Sequence, residues 1–212
     1  GHPHRCRSRL DQVLTGLDYG WALFSSYLGY VTKNTAGTHG NPVAYHLYNA
    51  CEATATSLES SAVGISVAVE AISNLVGLEK EHKNQEIADF QCRIRAWLKK
   101  QTDVSESTIQ RVTGIIDAIA HKRPKDTLHA LADEGKIQEK YIKSWTKIRN
   151  KHVHPNLKDL KIPTQADTQN LLDEINKIQV LLRQITFSLI GYEGYFTDYG
   201  THGFPSTRYP LL

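Results

Sequence analysis

Methionine is absent from all 212 residues. A chain without an initiator reads as a processed or excised piece of something longer. Cysteine is scarce: Cys6, Cys51 and Cys92 lie far apart, with no C-x-x-C pair. That argues against a disulfide framework or a structural zinc cluster. Cys51 and Cys92 are expected as buried thiols in a reducing cytoplasm. No apolar run approaches a membrane span, and no signal peptide opens the chain, so no membrane partner is expected. No glycine-rich phosphate loop occurs, so ATP chemistry is not suggested. Neither sign of charge dominates: 25 Lys+Arg against 22 Asp+Glu gives +3. That is too mild to announce a nucleic-acid binder and does not exclude one.

What is present is globular in composition, 40% hydrophobic and 22% charged. Its apolar residues recur with helical period. Leu58, Ala62, Ile65, Val69, Ile72 and Val76 make one stripe, and Leu171, Ile175, Ile178, Leu182, Ile185 and Leu189 make another. Shorter stripes run through Ile87, Phe90, Ile94 and Trp97, and through Ile109, Val112, Ile116 and Ile119. Asp103 with Glu106 resembles a capping box, Pro124 suits a first helical position, Gly135 a helix end and Thr164 an N-cap. No alternating strand pattern stands out after residue 42. The fold class expected is all-α. Residues 1–41 read as an N-terminal segment, helical or a strand remnant of a preceding domain. Residues 42–212 read as the helical domain, ending in a Gly/Tyr-rich tail that glycine and proline keep from being helical.

The stretch KIRNKHVHP, Lys147–Pro155, concentrates an arginine, an asparagine and two histidines before a proline. Ile142, Trp145, Arg149 and His152 share one helix face. Two of them are apolar, so Arg149 falls at the packed side, where an arginine needs a partner or a wet cleft. Lys136, Lys140, Lys143, Lys147 and Lys151 form a basic stripe on the opposite side, read as a solvated face. Pro155 disfavours the α conformation at His154, so the helix should end there. Periodicity alone favours His152 as the partner of Arg149, and both histidines stay open at this point. Basic residues at a helix C-terminus also suit the macrodipole. A zinc site from His152, His154 and His121 or His129 is a weaker reading, since no carboxylate or thiolate sits at a suitable spacing.

Arg149-Asn150-Lys151-His152-Val153-His154 resembles the Arg-polar-spacer-His motif of the HEPN superfamily. The family's four-residue spacing selects His154. Val67–Leu75, Ser144–Asn150 and Leu189–Pro205 resemble the ApeA-like subgroup, so the likeness spans about residues 42–205. The resemblance implies a HEPN-like helical bundle and a metal-independent endoribonuclease. It would cut RNA through the ribose 2′-hydroxyl, in a bacterial antiphage-defence or toxin-like setting. It further implies a homodimer with a composite site, no cofactor, and a sensor domain ahead of this piece. The alternative is an inactive HEPN-like module that binds RNA or nucleotides, with Tyr192, Tyr195, Phe196 and Tyr199 as stacking platforms.

Those roles suit the residues. Histidine moves protons near neutral pH, and arginine offers an always-charged fork to phosphate oxygens. Arg149 is thus the expected charge stabiliser, His154 the general acid or base, and Asn150 their support. Glu70, beside Val69 on its stripe, is a candidate partner for Arg149, and His152 a possible supporting residue.

Overall fold

A computed structural model of the chain describes residues 9–33, 40–79, 85–119, 123–153 and 163–211. In chain order the elements are α1 (Arg9–Lys33), α2 (Pro42–Thr54), α3 (Leu58–Glu79), α4 (Gln85–Leu98), α5 (Glu106–Ile119), α6 (Pro124–Asp133) and α7 (Glu139–Ile148). A π-helical turn (Arg149–Val153) follows α7, then α8 (Gln165–Ile190) and two short strands, β1 (Gly194–Thr197) and β2 (Ser206–Tyr209). The architecture is all-α with one small hairpin.

The two long stripes make the centre. Ala62, Ile65, Val69, Ile72 and Val76 of α3 are buried, and Ile175, Ile178, Leu182 and Ile185 of α8 are buried against the same core. α2, α6 and α7 pack around this pair. Removing such side chains from water supplies most of the drive to fold. The run Leu58–Gly77 meets the length and hydropathy of a membrane span, contrary to the sequence reading. About 56% of that window is buried inside the bundle, as in a core helix.

α2 and α3 approach closely at Gly64, where a β-carbon would collide with that of Ala53. Gly64→Ala is therefore expected to lower stability in urea unfolding. Overpacking costs roughly 1–3 kcal/mol, against about 1 kcal/mol gained in helix propensity. Adding Ala53→Gly should recover part of the loss.

Local signals explain the ends. Asn41 caps α2, its Oδ1 accepting from the amides of Val43 (2.9 Å) and Ala44 (3.2 Å). Thr164 and Asp167 form a reciprocal capping box on α8. Pro124 opens α6, and Gly135, at φ 69°, follows its end. Gly191, in the left-handed region at φ 65°, stops α8.

Three expectations need correction. The cap before α5 is Ser105, whose backbone and hydroxyl oxygens accept from Thr108, rather than Asp103. The tail carries an antiparallel ladder, Gly194 opposite Tyr209 through Thr197 opposite Ser206. Strands this short are hidden among glycines, prolines and tyrosines. Cys51 and Cys92 are exposed, not core, and Cys6 lies outside the described residues. Phe90 and Trp97 are exposed as well, so the stripe of α4 is not a core stripe. Its periodicity is the same as that of a buried helix, and only its surroundings differ.

The ambiguous N-terminal stretch forms a helix. α1 lies on the hairpin and α8, with Tyr19 and Tyr195 rings 5.1 Å apart.

Candidate functional site

α7 is anchored before it reaches the motif. The Gln138 amide donates to Gln184 Oε1 at 3.1 Å. The Tyr141 hydroxyl donates to both oxygens of Asp198, at 2.6 and 2.8 Å. Asp198 is only 2% exposed. It also accepts from the Gly200 amide and the Thr201 hydroxyl, each at 3.0 Å. Burial and then the carboxylate push the Tyr141 phenol well above its ordinary pKa, which keeps it a donor. One turn on, Trp145 is buried, and its indole N–H donates to the Ser66 carbonyl at 3.1 Å.

The motif arginine is then held from two sides. Arg149 Nε donates to Glu70 Oε2 at 2.6 Å, and Nη2 donates to Oε1 at 3.2 Å. The guanidinium carbon lies 5.8 Å from the centre of the Trp145 ring, within cation–π range. The hydrogen bond to Glu70 raises the arginine pKa further, so its charge is permanent. A guanidinium has five N–H donors. Glu70 takes two, and the remaining three have no hydrogen-bond partner among the described residues. This is a positioned cation with donors to spare, able to receive an anionic oxygen.

Asn150 and Lys151 are exposed beside it. The backbone here is π-helical over Arg149–Val153. Such wide turns are rare and recur at functional sites. His154, assigned the proton-transfer role, lies outside the described residues, as does His121.

His152 sits differently from Arg149. Its Nε2 is buried and has no hydrogen-bond partner among the described residues. Burial, with the neighbouring charge of Lys151, holds its pKa below the ordinary value, and Glu59 opposes the shift. With Nε2 shielded from solvent, this imidazole is poorly placed to exchange protons with a solvent-side substrate through that nitrogen. It does have a consequence for stability. The unfolded imidazole takes up a proton near its ordinary value of about 6.5, whereas the folded one resists. Stability should therefore fall as the pH drops through that range. His46, lowered by burial, acts in the same direction. His152→Gln is expected to flatten the decline in urea midpoint between pH 7 and about 5.5.

The basic stripe is largely engaged. Lys136 pairs with Glu134 at 2.8 Å and Lys147 with Glu174 at 3.4 Å. Lys140 donates to Thr201 at 3.1 Å. This is a laced surface rather than a phosphate track. The tail aromatics divide: Tyr192 and Phe196 are buried, while Tyr195 and Tyr199 are exposed. Among the described residues, no group of three or more His, Cys, Asp or Glu side chains is gathered to hold a metal. A groove of about 510 Å³ between α1, α2, α3 and α8 is lined by neither Arg149 nor Glu70.

Sequence reasoning overlooked Trp145 as the ring beneath the arginine. The signal was there, since the two are four residues apart on one helix. Glu59 carried no signal, because only the packing of α3 against the π turn brings it near His152. No family model, curated protein or solved structure matches this chain.

Proposed function

We propose that the chain is an RNA-cleaving enzyme of HEPN type, acting without a metal cofactor through attack by the ribose 2′-hydroxyl. The observation that carries this reading is the Arg149 guanidinium, clamped by Glu70 and Trp145 with three N–H donors unpartnered among the described residues. Charge gathers on phosphorus oxygens as the 2′-oxygen attacks, and a fixed cation stabilises that charge without reorganising. Glu70 orients the fork, and Asn150 stands beside it for the phosphate or the imidazole. His154 would take or deliver the proton. A second copy would bring a second arginine and histidine to one phosphate. The setting in antiphage defence or toxin action rests on the resemblance of the motif and its flanks.

The test is cleavage of a labelled structured RNA in EDTA, comparing the parent with Arg149→Ala, His154→Ala and His152→Ala. Folding of each is checked by circular dichroism. Loss in the first two with retention in the third is the expected pattern, with a 2′,3′-cyclic phosphate on the product. RNA bound but left intact by the parent would instead identify a binding module. Loss confined to His152→Ala would move the proton-transfer role to that residue.

A further inference from the structure

We propose that the groove between α1, α2, α3 and α8 is a binding site for a small amphipathic anion, an acyl chain of medium length ending in a carboxylate. This inference stands apart from the RNA reading and uses none of its residues.

The groove holds about 510 Å³, within the usual range of small-molecule sites. Its walls are helix faces. Gln179, Leu182, Arg183, Thr186, Phe187 and Ile190 of α8 all line it, at steps of three, one and four that keep to one side of the helix. That face runs roughly 16 Å at about 1.5 Å per residue, a length that suits an extended medium-chain acyl group. Leu23 and Phe24 of α1, Leu47 of α2 and Ile65 of α3 complete the apolar lining. Phe24 stays 52% exposed, so the fold leaves part of this lining uncovered.

The polar groups narrow the ligand. The Thr186 hydroxyl donates back to the Leu182 carbonyl at 2.8 Å, and the Thr54 hydroxyl to the Cys51 carbonyl at 2.6 Å. Both are engaged by their own helices, which leaves little to receive the many hydroxyls of a sugar or nucleoside. Arg183 is the charged residue in the lining, and no carboxylate shares the groove with it. It has no ion pair among the described residues. Its guanidinium carbon lies 5.0 Å from the centre of the Tyr199 ring, which steadies the cation and leaves its N–H fork to a ligand. An apolar channel with one such cation matches an apolar body with one anionic end. The chain leaves water, and the carboxylate takes the fork.

Gly20 of α1 supports the same reading. A glycine inside a helix weakens it, and close packing is the usual reason for one. Gly64 has that reason, but a β-carbon at Gly20 would meet nothing within 4 Å. Packing does not require this glycine, and the room it leaves belongs to the groove.

Isothermal titration calorimetry of the whole chain with decanoate, kept below its aggregation concentration, tests this. One saturable site is expected, and decanol should bind it more weakly. Arg183→Gln should weaken decanoate roughly 5–10-fold and remove its advantage over decanol. Gly20→Leu should fill the groove and weaken both ligands roughly 10-fold or more, with the circular dichroism unchanged. Cys51 lines the groove and is exposed, whereas Cys92 is exposed on α4. Decanoate should therefore slow iodoacetamide alkylation of Cys51 and leave that of Cys92 as it was. A parent without saturable binding would overturn the proposal, and is the outcome if another protein chain covers the groove instead. Equal binding of decanol and decanoate would remove the anionic head from it. Binding that survives Gly20→Leu, or that protects both cysteines alike, would show that the groove is not the site.

Discussion

Arg149→Ala is expected to lower RNA cleavage about 10²–10³-fold, the usual cost of removing one donor that stabilises transition-state charge. The loss should fall on kcat more than on KM, because the guanidinium gains most as charge develops on the phosphate. Arg149→Lys should recover little. A lysine keeps the charge but cannot fork onto Glu70 while turning further donors outward. Glu70→Gln should be milder, since a neutral amide leaves the cation charged but less firmly aimed. Initial rates on one labelled RNA at several concentrations separate these outcomes. Equal activity of the parent and Arg149→Ala would end the catalytic assignment of the arginine.

Trp145→Ala is expected to cost about 3–5 kcal/mol of unfolding free energy, in the range for truncating a buried aromatic. The ring is 3% exposed and belongs to the central core. Its loss would open a cavity, remove the indole hydrogen bond to the Ser66 carbonyl, and take away the surface on which Arg149 rests. Trp145→Phe keeps most of the volume and drops only the indole donor. It should cost less, about 0.5–1.5 kcal/mol for the lost hydrogen bond, because the Ser66 carbonyl lies inside α3 and keeps its place in the helix ladder. Urea unfolding followed by circular dichroism gives both values. A loss below 1 kcal/mol for the alanine variant would contradict the packing described.

The central helices were legible because α3 and α8 are long and keep one apolar period from end to end. The pairing of Glu70 with Arg149 was partly legible: each lies next to a core position, and a near-buried arginine requires an anion. The hairpin was not, because Gly194–Thr197 and Ser206–Tyr209 are too short for alternation to stand out. The outward face of α4 and α5 was not either. Periodicity shows which residues share a side, and it is silent on whether that side meets a core. The buried Asp198 was invisible for a related reason. Its partners, Tyr141 and Gln138, lie 57 and 60 residues earlier in the chain.

Asp198 has a mechanical meaning. It grips the start of α7 through Tyr141, while Glu70 grips the residue after its end through Arg149. The helix is a short beam fastened at both ends to different parts of the molecule. A beam of this kind does not fray one turn at a time. Loosening the tail hairpin should release the arginine-bearing turn along with it, so the two ought to exchange their amide hydrogens as one cooperative unit.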